Sequence, residues 1–386
     1  MSTHTTILAT AIAALLLAPA AFAAQPAAGA ATSAPQIPGV ALSHDGEHLA
    51  WISARNGTAR LMLASWTGSN AHAVALPGNC LATGVRWAPR WNTLAVMTRC
   101  GAGADGTPSA HGAIWIVDVH SGAAPRKIAN IDGYASAMQW KNTGKNIAFL
   151  YRPATGPGDH SQVVAAVGAK GGPFQILTPA TWNVHAFRLS RLGNDMAFTA
   201  TSTPNQPLPA LYAMGKTGPK LVLDPNTATG AAHGLQIGLV RYPAYLIGFL
   251  ARSPGASADN LYTISPNGGG LVNRTATNKI KPSWFTMNHR QVIATRVVDG
   301  KVQLIKYRMG FSWVLQQRLW FSLPGTIGDG RAPYGVSISY KPGYWRRVAF
   351  VQSMPGKPPV VRSGLLSTQP PPVVASADME VASTAQ

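Results

Sequence analysis

Apolar residues fall in short runs along this chain, each entered from a polar turn and bounded by Gly, Pro, Asn or Asp. This is the patterning of strands and turns, not of helices. The run Ser43-His44-Asp45-Gly46-Glu47-His48-Leu49-Ala50-Trp51-Ile52 is the clearest case. Its core, a small residue between two larger apolar ones a few residues after a turn, returns as Leu94-Ala95-Val96, Ile147-Ala148-Phe149, Met196-Ala197-Phe198 and Val348-Ala349-Phe350. Two weaker copies are Ile247-Gly248-Phe249 and Ile293-Ala294-Thr295. The markers at 50, 95, 148, 197, 248, 294 and 349 are spaced by 45, 53, 49, 51, 46 and 55 residues, near the roughly 40–50-residue period of propeller blades.

Each copy has the same surroundings. A short strand precedes the turn, as in Gly84-Val85-Arg86-Trp87 or Ser136-Ala137-Met138-Gln139-Trp140, and the marker strand follows. Third strands are seen at Ile114-Trp115-Ile116-Val117 and Leu261-Tyr262-Thr263-Ile264, and fourth strands at Phe174-Gln175-Ile176-Leu177 and Lys220-Leu221-Val222-Leu223. The pattern predicts an all-β chain: a single β-propeller of seven four-stranded blades, with six as the alternative. A lone sheet cannot cover both its faces, whereas sheets stacked round a ring can. The small marker is read as relief of crowding toward the ring axis, with its larger neighbours facing adjacent blades.

The form Ser43-x-Asp45-Gly46-x-x-Leu49-Ala50-Trp51 resembles the WD40-like repeat of TolB-like propellers, which also builds the propeller domain of prolyl-oligopeptidase and dipeptidyl-peptidase proteins. The resemblance covers roughly residues 37–367. It implies the propeller fold and a binding role in the cell envelope, without the hydrolase domain of those peptidases.

The ends read differently. Residues 1–23 fit a secretory signal: an apolar run from Ile7 to Leu17, a break at Pro19 and a small-x-small cleavage site at Ala21-Phe22-Ala23. The run is short for a membrane span. Residues 24–36 are an Ala/Pro/Ser/Gly linker, and 368–386 read as a disordered tail unless Pro372-Val373-Val374 adds an outer strand to the last blade. A periplasmic or secreted, monomeric protein is expected. Cys80 and Cys100 suit that address. They flank a hairpin turning near Arg90-Trp91, which sets them almost opposite each other and permits a disulfide.

Motifs for catalysis are scarce. There is no Gly-x-Ser-x-Gly nucleophile elbow. Gly101-x-Gly103-x-x-Gly106 sits in a loop between strands, outside the strand-to-helix setting that a dinucleotide fingerprint needs. His44 and His48 bracket a solvated turn and are read as turn residues, so neither a metal nor a cofactor is expected. With 13 acidic residues in 386, and Glu47 the one Glu before the tail, a converging pair of carboxylates for glycoside chemistry is not indicated.

Charge changes the picture. Lys and Arg number 32, for a net charge of +19, which suits an anionic partner or simple solubility. Turns between first and second strands open on the same face of a propeller as those between third and fourth. On that face lie Arg90, Lys141, Lys145, Arg191, Arg241, Arg290, Arg346 and Arg347, with Trp91 and Trp345 beside them. The acids there are Asp45, Glu47 and Asp195, while the opposite face mixes both signs and reads as nearly neutral. The leading expectation is a non-enzymatic binding scaffold whose basic face meets an envelope protein or anionic polymer; export argues against nucleic acid. The alternatives are a propeller lyase or hydrolase with its site in the axial funnel, and a peptidase propeller gating a hydrolase made on another chain.

Overall fold

The computed structural model describes residues 36–377 apart from 56–57, 78–79, 90–91, 102–110, 155–161, 191–194, 216, 228, 242–243, 276–280, 289–290, 310–313, 330–334, 342–343 and 368. The signal, the linker up to residue 35 and the end of the tail lie outside that set. No helix occurs among the described residues, and every strand pairing is antiparallel.

Pairing divides the strands into seven four-stranded units in chain order. The first blade holds Gln36–Leu42, His48–Arg55, Thr58–Ser65 and His72–Val74. The second holds Cys80–Trp87, Thr93–Cys100, His111–Asp118 and the first half of the long strand Arg126–Trp140. The second half of that strand opens the third blade, followed by Asn146–Pro153, Val163–Gly168 and Gln175–Ile176. The fourth is Asn183–Leu189, Met196–Thr201, Ala210–Gly215 and Gly218–Leu223. His233–Arg241, Ala244–Ala251, Asn260–Ile264 and Val272–Asn273 make the fifth. Trp284–Asn288, Gln291–Val298, Lys301–Met309 and Val314–Pro324 make the sixth. The seventh is Ser337–Lys341, Tyr344–Met354, Lys357–Leu365 and Val373–Ser376, with Thr326–Gly328 also paired to its second strand.

One strand serves two blades because of Gly133. Residues up to Asp132 pair with the second blade, and residues from Gly133 pair with the third. Gly133 has φ +139°, and a Cβ there would lie 2.2 Å from the Arg152 carbonyl oxygen, so only glycine lets the chain change partners without a turn.

Seven hydrophobic clusters fill the seven junctions between consecutive blades. One of them joins last to first: Val40, Leu42, Leu49 and Trp51 pack with Ala349, Val351, Val361 and Ala375. The ring is therefore closed by side-chain packing, and among the described residues the first and last blades share no strand.

The tail is not a featureless extension. Val373–Ser376 forms the fourth strand of the last blade, and Ala375 and Ala377 are buried in the closing cluster. An outer strand is what gives this sheet the width to cover the first blade.

The repeat also needs two corrections. The small markers at 50, 95, 148, 197 and 349 are fully buried, but they face the next blade while their larger neighbours face the preceding one. Ala95, for example, joins the cluster with the third blade, and Leu94 and Val96 join the cluster with the first. The pressure for a small side chain is thus the neighbouring sheet, not the axis. In the sixth blade the sequence marker is out of phase by one residue. Ala294 packs toward the fifth blade and Ile293 toward the seventh, because a one-residue offset exchanges the two faces of a strand. Gly248 stands for alanine in the fifth blade for a related reason. A Cβ there would meet Met287 Sδ at 2.5 Å and Phe285 at 2.9 Å.

Cys80 and Cys100 are directly opposite in the second blade and form a disulfide, with Cα atoms 4.0 Å apart.

Candidate functional site

The innermost strand of each blade pairs with the marker strand, so the residue opposite each marker position occupies one level round the axis. In chain order these residues are Ala41, Arg86, Gln139, Arg188, Gln236, Thr286 and Ser337. Six of the seven are polar and none is acidic. Gln236 is buried, and Arg86, Gln139, Arg188, Thr286 and Ser337 are half-buried.

These side chains join one inner strand to the next. Gln139 Nε2 donates to the Phe187 carbonyl at 2.8 Å and its Oε1 accepts from Leu189 N at 3.2 Å. Arg188 Nε donates to the Leu235 carbonyl at 3.1 Å. At the closing junction, Leu42 N donates to Ser337 Oγ at 2.9 Å. Tryptophans bond in the reverse direction: Trp87 Nε1 reaches the Ala41 carbonyl at 3.0 Å and Trp140 Nε1 the Arg86 carbonyl at 2.9 Å.

Register irregularities precede this level in five inner strands, between Gln36 and Gly39, Ala82 and Gly84, Ser136 and Gln139, Val184 and Ala186, and His233 and Gln236. In the last blade two strands, Thr326–Gly328 and Ser337–Lys341, pair with successive stretches of the second strand. Bulges re-aim the side chains that follow them and gather beside binding sites. His185, the extra residue of the fourth blade, is exposed, yet desolvation holds its imidazole pKa below the ordinary value.

Chemically, the ring offers guanidinium and amide N–H donors with two hydroxyls. N–H donors of this kind suit oxyanions and carbonyl oxygens, and several are already engaged by main-chain carbonyls: Arg86 Nη1 by Val85, Gln139 Nε2 by Phe187 and Arg188 Nε by Leu235. The ring contains no carboxylate or imidazole to act as a general base. Among the described residues no group of three or more His, Cys, Asp or Glu side chains is placed to hold a metal ion.

The basic face is only partly as expected. Lys145 is exposed and Lys141 half-buried on the turn that opens the third blade's hairpin. Arg126, Lys170 and Lys220 are exposed on the same face. Arg126 bonds the Ala169 and Lys170 carbonyls at 2.7 and 3.0 Å, tying the second blade's outer strand to the third. Arg90, Trp91, Arg191 and Arg290 lie outside the described residues. Arg241 ends a strand, and Trp345 and Arg346 lie within one, with side chains outside the description.

Arg347 departs from expectation: it is buried in the strand Tyr344–Met354, not exposed on a turn. Its Nη1 donates to the Gly46 carbonyl at 2.8 Å and meets Glu47 Oε1 at 2.6 Å. Its Cζ lies 4.3 Å from the centre of the Trp66 ring. This arginine holds the ring shut instead of facing a partner. Because Arg347 is buried, it cannot be half of a surface Arg346-Arg347 cluster.

The acids of this face are engaged internally. Asp45 accepts from the Ser43 hydroxyl and from Glu47 N at 3.0 Å; burial raises its pKa, but these bonds and His48 and His44 outweigh that and lower it. Glu47 pairs with Arg347. Asp195 accepts from the Ser190 hydroxyl at 3.3 Å, and burial together with Asp195 pushes the Tyr245 phenol up to about 12.

The inner ring escaped the sequence reading because the bulges break the two-residue alternation. The available signal was the residue before the last of each first strand, Arg86, Gln139 and Arg188, polar in otherwise apolar segments.

The class defined by this architecture is the β-propeller. No protein family model matches the sequence, and no curated protein matches it. Solved structures do. The β-propeller domain of the Trilobed protease from Pyrococcus furiosus, described as having an open velcro topology, aligns with TM-score 0.60 at 8% identity over 90% of this chain and 100% of that one. Prolyl oligopeptidase B from Galerina marginata aligns with TM-score 0.57 at 12% identity, over 91% of this chain and 52% of its own. An acylaminoacyl peptidase from Pyrococcus horikoshii gives 0.55 at 9% identity, over 83% and 50%. The chain thus spans about half the length of the latter two peptidases. It is a propeller similar to their propeller domains, and at these identities the likeness concerns the fold.

Proposed function

We propose that this protein is an exported, non-enzymatic propeller that binds an envelope protein or anionic polymer through its basic face. The observation that carries the reading is the inner ring: six polar side chains at one level, two of them arginines, none acidic. The surrounding face supports it, because its exposed lysines remain outward while Asp45, Glu47 and Asp195 are engaged within the fold. Such a site attracts anions at long range by net charge and selects them at short range by N–H geometry.

The test compares two triple variants of equal charge change. Lys145→Glu/Lys170→Glu/Lys220→Glu lies on the basic face; Arg55→Glu/Arg60→Glu/Lys301→Glu lies on the other, and all six positions are exposed. The first is expected to leave a heparin column at clearly lower salt than the second. Screening is steep, since the Debye length falls from about 10 Å at 0.1 M to about 3 Å at 1 M. Equal losses would show that only net charge matters and that the face has no binding role.

A further inference from the structure

The second and third blades meet at the rim of the opposite face, the one that sequence reads as nearly neutral. Tyr134 stands near the start of the third blade's innermost strand and is 37% exposed. Arg152 lies directly opposite it in the ladder, with its Cζ 4.6 Å from the ring centre. Arg99 approaches from the second blade, with its Cζ 5.6 Å from the same centre. Both arginines are half-buried. Among the described residues neither has a carboxylate within ion-pair distance. The carboxylate of Asp132, two residues before Tyr134, meets His111 Nδ1 at 3.1 Å.

We propose that Arg99, Tyr134 and Arg152 form a clamp for a tetrahedral oxyanion, a phosphate or sulfate ester. Two like charges gathered on one aromatic ring repel each other, and a bound anion offsets that repulsion. Packing against the ring restrains both long side chains and leaves the in-plane N–H donors of each guanidinium available. Those donors are set in a planar fork that matches two oxygens of one anion, a geometry lysine lacks. Half-burial strengthens the attraction relative to a fully solvated pair. The clamp is independent of the basic face, because it lies at the other end of the blades and uses none of the same residues.

The experiment is calorimetric titration of the full mature protein with glucose 6-phosphate at low salt, beside sedimentation with phosphatidylcholine vesicles carrying phosphatidic acid. Arg99→Ala and Arg152→Ala are each expected to weaken binding at least tenfold. Arg152→Lys, which keeps the charge and loses the fork, weakens it several-fold, and Tyr134→Phe leaves it unchanged. Should an alanine variant fail to fold, Arg152→Lys and Tyr134→Phe still decide the matter. Arginine-dependent binding to the sugar phosphate alone assigns a soluble ester; to vesicles alone, a lipid headgroup; to both, the phosphoryl group whatever its carrier. The proposal is overturned if neither probe binds, or if Arg55→Ala/Arg60→Ala weakens binding as much as the clamp variants do.

Discussion

Arg347 and Glu47 close the ring, and their unequal burial predicts an unequal response to mutation. The Arg347 side chain is 6% exposed and that of Glu47 44%. Replacing Glu47 with Ala leaves a buried guanidinium facing, among the described residues, the Gly46 carbonyl and Trp66. Removing one partner of a fully buried pair costs about 3–5 kcal/mol, and an exposed pair is worth about 0–1 kcal/mol. Water reaches the Glu47 side of this pair, so a loss of about 2 kcal/mol is expected, between those limits. Replacing Arg347 with Met removes the buried charge itself. The costs are the contact with Trp66, about 1 kcal/mol, and a Gly46 carbonyl left without its donor, about 1–3 kcal/mol. These are offset in part by relief of the guanidinium's desolvation, for a net loss of about 1 kcal/mol. The double variant should lose less than the sum of the two single losses, because the two side chains act on each other. Urea denaturation of the four proteins gives the cycle, and hydrogen exchange at Leu42 N, which bonds Ser337 across the junction, locates the effect. Additive losses, or a Glu47→Ala variant as stable as wild type, would refute the closing role of the pair.

Three further outcomes follow from the same reasoning. Tyr307 is buried with a hydroxyl that has no hydrogen-bond partner among the described residues, and burial raises its pKa, so Tyr307→Phe should stabilise by about 1 kcal/mol, read as a higher urea midpoint. Gly248→Ala should destabilise by about 1–3 kcal/mol through overpacking, and Met287→Leu, which removes the sulfur nearest the new methyl, should restore part of it. Asp259 carries a folded-state pKa below the ordinary 3.8: burial raises it, but His233 and Arg252 outweigh burial. Its stabilisation is therefore complete above about pH 4 and is lost as pH falls through the depressed value; Asp259→Asn should flatten that part of a urea-midpoint profile measured between pH 5 and pH 2.

Much of the architecture was legible in the pattern of residues, because a strand's alternation and its bounding turns are local properties. The Cys80–Cys100 pairing followed from the same hairpin arithmetic. Phase was less secure. In the sixth blade, Val292, Ile293 and Ala294 are all apolar and all buried, so alternation could not show which of them faced the next blade. Chemistry was harder still. Arg347 reads as half of a surface Arg-Arg pair, and only the first blade's Glu47 and Trp66, some 300 positions earlier, show why it turns inward.

Strand content, the repeat period, the hairpin registers near each turn and the excess of positive charge were thus determined by the sequence itself, since each depends on residues within one blade. The tertiary structure decided the rest. Which blade each side chain faces, how the ring shuts without a shared strand, which arginines are spent on that closure, and which polar residues meet around the axis all depend on segments distant in sequence. Their juxtaposition is set by the packing of whole sheets, a property that no local pattern encodes.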